Sequence, residues 1–293
     1  MRTMLHFAQI LSYGLLSGAI YGLVALGLSV VFGVMNYLNV AHGALIMMAA
    51  YLTFWAFFYT HLDPFLFIIL VMPIFFVIGW AVFKILFQTL MKYPEGEKIK
   101  NSLLISFGLL LIFSNLAILL WTADERAVTT AYTGKVLDVS GVRLPYIGLG
   151  GVVLAIIVII ALHFFLTRTY FGKAIRAVTQ DHEAATLMGI NVKRVYLVAF
   201  SIGFALAAIP GVLTSLHAFN PAISFDLTNK ALIVMILAGF GSIKGVLLGG
   251  FLLGGIEAVG VYLVGTPYRE VFGLILFVLI LMFRPQGLAG KKT

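Results

Sequence analysis

Seven apolar runs long enough to cross a bilayer follow one another along this chain, at 7–32, 40–59, 65–87, 103–121, 147–166, 195–216 and 246–264. A helix needs about 20 apolar residues to span the hydrocarbon core, and little below about 17 suffices without thinning. Two further runs, 231–240 and 271–283, fall under or near that limit. The pattern predicts an all-α chain, a polytopic membrane helix bundle of about 8–9 spans with one or two broken or re-entrant helices. The loops are short apart from two polar intervals, 88–101 and 122–146, so one transmembrane domain is expected over 1–293. Composition excludes the soluble alternative: 62% of the residues are hydrophobic and 10% charged. The first run is too long for a signal peptide and is read as a retained span.

Charge gives the orientation. The formal net charge of +8 sits mostly in the loops, where it orients spans and does not imply a nucleic-acid partner. Lys84, Lys92, Lys98 and Lys100 cluster in one loop, Arg168, Lys173, Arg176, Lys193 and Arg194 in the central one, and Arg284, Lys291 and Lys292 in the tail. All three are expected on the cytoplasmic side. The interval 122–146, where Arg126, Lys135 and Arg143 are balanced by Asp124, Glu125 and Asp138, then lies outside, and so does the N-terminus despite Arg2.

The central polar segment, 168–194, carries a helical pattern in which Ile175, Val178, His182 and Ala185 share a face. Asp181 or Thr179 can cap a short helix there, and Gly189 can close it in a left-handed turn with Ile190 folding back. Two short helices meeting at a corner outside the membrane are expected. A plain basic loop anchoring two spans has the same composition.

Two apolar runs are interrupted in a similar way. One stops at Gly33, passes Asn36 and Asn39 and resumes after His42-Gly43; the other stops at Gly239 and Gly241 and resumes after Lys244-Gly245. Unwound backbone is tolerated at membrane depth only where it is buried in protein or lines a cavity, so Asn36, Asn39 and His42 are candidates for a translocation path. Ordinary turns between spans would read the same. Glu257 stands mid-span among Gly249, Gly250, Gly254, Gly255, Ala258 and Gly260. A carboxylate there must face a polar cavity or a partner. It either meets the ammonium of a substrate or a gating contact, or hydrogen-bonds a neighbouring helix at Asn36, Asn115 or Tyr21.

Catalytic chemistry is not suggested. No Gly-Lys pair is followed by Ser or Thr, so there is no Walker A loop. The histidines have no metal-ligand spacing, cysteine is absent, and no Ser-His-Asp set stands out. A non-enzymatic chain without cofactor or metal is expected, its energy supplied by partners.

Glu183-Ala184-Ala185-Thr186-Leu187-Met188-Gly189 resembles the E-A-A-x-x-x-G cytoplasmic loop motif of ABC importer permeases. The Ile and Leu-Pro of the maltose-type group are missing where Ala199, Phe200 and Ser201 stand. Taken with Asn39-Val40-Ala41-His42-Gly43, the 172–189 loop, Gly239-Phe240-Gly241-Ser242-Ile243-Lys244-Gly245 and Phe283-Arg284-Pro285-Gln286-Gly287-Leu288, the chain resembles the branched-chain amino acid ABC permeases over nearly its whole length. Its short N-terminus is similar to the smaller of the two permease subunits those systems pair. The resemblance implies a coupling helix seated on an ATPase subunit, with Gly172, Arg176, Asp181, Glu183, Ala184, Ala185 and Gly189 as the coupling residues. It also implies a second permease subunit, two ATP-binding subunits, an external substrate-binding protein, a prokaryotic cytoplasmic membrane, and leucine, isoleucine or valine as substrate. Similar relatives move urea, short amides or polar amino acids. An ion-coupled secondary transporter would need more intramembrane carboxylates than Glu257, and a passive channel would need no docking loop.

Overall fold

The structure is a computed structural model that describes residues 2–284 and 286–288. Pro285, Lys291 and Lys292 of the tail lie outside the described residues, as do the side chains of Arg2 and Lys244. The chain runs through α1 (Arg2–Met35), α2 (His42–Thr60), α3 (Pro64–Ile85), a 3-10 stretch (Phe87–Lys92) and α4 (Glu95–Trp121). It continues through α5 (Tyr146–Arg168), α6 (Tyr170–Gln180), α7 (His182–Leu187), α8 (Val192–Ser215), α9 (Ile223–Ala238), α10 (Ile243–Val264) and α11 (Arg269–Phe283).

Among the described residues, eight stretches are long and apolar enough to cross a membrane. Beside them stands α9, a 16-residue helix whose second half is the short apolar run seen in the sequence. Its first half carries Asp226, Asn229 and Lys230, which break the hydropathy signal but not the helix. Extended backbone enters in the 122–146 interval, where β1 (Val136–Val139) pairs antiparallel with β2 (Val142–Pro145). Ser140 and Gly141, at φ of 54° and 89°, make the two-residue turn whose twist suits a hairpin.

α1 and α8 form the centre, with 72% and 83% of their apolar windows buried, against 22% for α3, 17% for α5 and 11% for the last span. The outer helices turn Ile69, Val77, Leu119, Ile157 and Met282 outward, a face suited to lipid or another subunit. Gly14, Gly18 and Gly22 recur every fourth residue on α1, and Gly250, Gly254 and Ala258 do the same on α10. A Cβ added at Gly18 would stand 2.6 Å from the Gly250 carbonyl oxygen, and one at Gly254 would lie 2.7 Å from the Gly18 Cα. The two backbones touch, as small-residue stripes allow.

The bundle has two distinct ends. Arg126 N–H donates to the Phe219 carbonyl at 2.9 Å and Val128 N–H to that of Ser215 at 2.8 Å, which pins the 122–146 interval to the C-terminal end of α8. Gln9 exchanges hydrogen bonds with the Arg143 backbone at 2.6 and 2.7 Å, so the start of α1 lies there too. α6 and α7 sit at the other end of α8, whose 24 residues rise about 36 Å. This separation agrees with the sides drawn from the charges. Single cysteines at Ala131 and Thr179, both exposed, test it in a chain without native cysteine. An impermeant thiol reagent on intact cells should label Ala131→Cys and spare Thr179→Cys; the opposite pattern would invert the map.

Candidate functional site

The corner between α5 and α8 is built almost entirely by local capping. Thr169 Oγ1 accepts from Gly172 N–H at 3.0 Å and starts α6. Gly172 packs so closely on the end of α5 that a Cβ would collide with the Phe165 carbonyl. α6 ends at Asp181, whose Oδ1 accepts from Glu183 N–H at 2.9 Å and Ala184 N–H at 3.0 Å to open α7. Thr179 is not the cap: its hydroxyl donates to the Ile175 carbonyl at 2.8 Å. Gly189, at φ of 82°, closes α7. Its N–H donates to the Thr186 carbonyl at 2.9 Å while Ile190 N–H reaches that of Ala185 at 3.0 Å, the paired bonds of a Schellman turn.

Ile175, Val178 and Ala185 are buried as the spacing predicts. His182 is exposed, because the extended backbone at Asp181 resets the helical phase. The two alanines therefore part: Ala185 packs into the protein while Ala184 faces out beside Glu183. Leu187 and Met188 project from the same tip, 88% and 84% exposed. These two apolar side chains were not singled out in the sequence, where they read as the unspecified positions of the motif.

Arg176, also exposed, borders a cavity of about 280 Å³ at this end of the bundle. Thr179 and Gln180 of α6 line one side, and Gly33 and Gly241 the other. The two interruptions noticed in the sequence meet here. A Cβ on Gly33 would stand 2.6 Å from the Gly241 Cα, so the end of α1 and the α9–α10 turn are in backbone contact. Gly239 and Gly241 hold left-handed conformations in that turn, and Ser242 caps α10 by accepting from Gly245 N–H at 3.1 Å. The second interruption is thus a tight turn between helices.

The first interruption is a buried unwound segment. Asn36 ends α1 at φ of 54° and is exposed, whereas Tyr37, Asn39 and His42 are at most 1% exposed. Its backbone groups are met by hydroxyls from other helices. Ser102 Oγ accepts from Leu38 N–H at 3.1 Å and Ser106 Oγ from Val40 N–H at 3.0 Å. Thr228 Oγ1 accepts from Gly43 N–H at 3.1 Å and lies 3.0 Å from the Val40 carbonyl. Asn39 Oδ1 accepts from Ala41 N–H at 3.1 Å, and His42 Nε2 lies 2.9 Å from the Val24 carbonyl, tying α2 to α1. Neither Asn39 nor His42 lines the cavity beside Arg176.

Glu257, 2% exposed, joins four helices. Its Oε2 accepts from Tyr21 Oη and from Arg269 Nε, each at 2.8 Å. Lys230 Nζ lies 3.9 Å from Oε1 and donates to Tyr21 Oη at 3.0 Å; Arg269 Nη2 reaches the same oxygen at 2.8 Å. Tyr21 is one of the three partners anticipated. Asn115 instead donates to the Leu111 carbonyl at 2.8 Å on its own helix. The two cations were missed, since Lys230 and Arg269 each border an apolar run and looked like its polar edge.

Residues 10–283 match the family described as branched-chain amino acid transport system / permease component. The chain is 31% identical to the high-affinity branched-chain amino acid transport system permease protein BraD of Pseudomonas aeruginosa, over 98% of this chain and 96% of that one. It is 28% identical to the corresponding LivH protein of Escherichia coli K12, again over 98% and 96%. The probable branched-chain amino acid transport permease protein LivM of Methanocaldococcus jannaschii is 31% identical over 43% of this chain and 41% of its own. No solved structure matches.

Proposed function

The chain belongs to the branched-chain amino acid transport permease family, and on that premise we propose that it is the shorter permease subunit of an ATP-driven importer of leucine, isoleucine and valine. The observation that carries this is the length of the match, from the first span to the last. It is a multi-pass membrane protein without nucleotide chemistry of its own. Its partners in this reading are a second permease subunit of the LivM kind, two ATP-binding subunits and an external binding protein.

The corner α6–α7 is the coupling element. Closure of the ATPase pair would press on Glu183, Ala184, Leu187 and Met188, an exposed tip with one charge and two apolar side chains. α6 passes the push to the cavity it shares with Gly33 and Gly241, where α1 meets the α9–α10 turn. Alternating access then needs two packings of that contact, each favoured by a different nucleotide state. Asn36, Asn39 and His42 belong to the moving part next to it.

Reconstitution of this subunit with its partners tests the reading. Vesicles should take up leucine, isoleucine and valine only with ATP and the ATPase subunits present. Preferred uptake of urea, acetamide or a polar amino acid would displace the substrate assignment, and uptake driven by an ion gradient alone would displace the importer. For the unwound segment, Asn39→Leu removes the acceptor that holds Ala41 N–H. Uptake should fall roughly tenfold, the value of one buried hydrogen bond's desolvation, with the complex still assembled. Unchanged uptake would leave Asn39 as a structural turn residue.

A further inference from the structure

A second cavity, of about 300 Å³, opens at the end of the bundle that carries the hairpin. It lies where α8 ends, with Leu213, Thr214 and His217 on its rim, and α1, α9 and α11 supply the rest. We propose that this cavity is a subsite for the amino-acid zwitterion itself: a carboxylate held by Arg269 and Lys230, an ammonium held by Asp226 and Glu270, and an aliphatic side chain against the apolar wall. The proposal rests on the importer reading above.

The argument begins with unspent hydrogen-bonding capacity. Arg269 uses Nε on Glu257 and one Nη2 hydrogen on Tyr21. A guanidinium has five N–H donors, so Nη1 and the second Nη2 hydrogen remain. The side chain is 39% exposed and lines the cavity. A carboxylate presents two oxygens at the spacing such a fork matches. Lys230 Nζ, with Tyr21 and Glu257 on one side, keeps a donor for the same anion.

Asp226 and Glu270 complete the set from the opposite charge. Both line the cavity and both are exposed; neither makes a hydrogen bond or a direct ion pair among the described residues, and Lys230 and Arg269 lie within electrostatic reach of them without closing on them. Carboxylates on helices within a bundle are costly unless they face water or a cation. Glu257 cannot serve an ammonium directly, because its oxygens already answer Tyr21, Arg269 and Lys230. Its part is to fix the two cations so that they aim outward. Between the charged groups, Ile20, Leu213, Ile223 and Leu227 supply a branched apolar wall.

Anion and cation holders beside an aliphatic wall suit an α-amino acid with a hydrocarbon side chain. Urea or an amide would bring no cation to sit directly on either carboxylate. The volume sits at the small end for ligand pockets, about 300–1,000 Å³, which suits a ligand of amino-acid size.

The experiment uses the whole transporter in proteoliposomes with its binding protein and ATP. Asp226→Asn, Glu270→Gln and the double variant remove the ammonium holders without breaking a hydrogen bond or direct ion pair among the described residues, so each should elute and assemble as the parent does. The double variant should lose maximal leucine uptake about tenfold or more while the binding protein still stimulates ATP hydrolysis at its usual half-saturating concentration. Asp226→Glu, which keeps the charge, should restore most of the rate. Normal uptake by the double variant overturns the subsite and leaves the importer reading intact. Parallel loss of ATP hydrolysis and uptake also overturns it, because the carboxylates would then serve the fold. Parent vesicles that take up no branched-chain amino acid overturn both.

Discussion

Gly189→Val abolishes ATP-driven uptake and weakens ATPase co-purification, while the permease stays inserted in the membrane. The position has room: a Cβ there meets nothing within 4 Å. The penalty is therefore in the backbone alone, at φ of 82°, where a β-branched residue is strained by roughly 1–3 kcal/mol. A six-residue helix has no reserve against that cost, since so short a helix is not stable by itself. α7 is held by the Asp181 cap at one end and the Gly189 turn at the other. Losing the turn frees Ile190 from the Ala185 carbonyl and swings Leu187 and Met188 out of register with whatever they dock on. Glu183→Lys attacks the same contact through charge. It places a cation at a helix N-terminus, where the backbone dipole favours an anion, and reverses the one charge on the exposed tip. Gly189→Asn separates strain from a generic surface effect, because asparagine tolerates the left-handed region and should keep most of the activity. Normal uptake by Gly189→Val with the ATPases still bound would reduce the corner to an anchor for two spans.

How far the sequence reaches can be seen at these same residues. The Asp181 cap, the Gly189 turn and the Ile190 contact were legible because capping is local: donor, acceptor and turn lie within a few positions of one another. The spans were legible because hydrophobic length is a property of single segments. α9 was half hidden, since Asp226, Asn229 and Lys230 lower its hydropathy although they sit on a helix beside a cavity. Pairings across the bundle were not legible. Gly18 meets Gly250 from 232 positions away, and Gly33 meets Gly241 from 208 away (250 − 18 and 241 − 33). Nothing in a single sequence states which small-residue stripe faces which. The same applies to Ser102, Ser106 and Thr228, ordinary hydroxyls until the unwound 36–41 segment is laid beside them. Glu257 lay between the two cases: its need for a partner was predictable, and Tyr21 was named, but Lys230 and Arg269 required the fold.

Glu257→Ala should strongly destabilise the membrane-embedded part of the chain. Among the described residues, the carboxylate is the one anion in direct contact with both Lys230 and Arg269. Without it Lys230 and Arg269 lose their directly paired anion and keep the Tyr21 phenol oxygen as their shared hydrogen-bond partner. Removing one partner from a buried ion pair typically costs about 3–5 kcal/mol, because the charge left behind keeps its desolvation penalty. The two cations do not share that cost equally. Arg269 is 39% exposed and can turn its free N–H groups to the cavity, so it recovers part of the loss; Lys230, at 16%, recovers less. A fall in Tm of roughly 6–20 °C follows for a chain of this size, read by thermal unfolding in detergent, with less protein recovered from the membrane. Glu257→Gln keeps the shape and a carbonyl acceptor but not the charge, and should lie between the parent and alanine. The triple change Lys230→Met, Glu257→Met and Arg269→Met removes all three charges together. Apolar replacement of a whole buried ion cluster is often neutral for stability, so this variant should fold near the parent Tm. It should nevertheless fail to transport, because the donors proposed for the substrate carboxylate are gone. A stable Glu257→Ala protein would mean that water reaches the cluster freely. A triple variant that transports normally would mean that the cluster only holds α1, α9, α10 and α11 together.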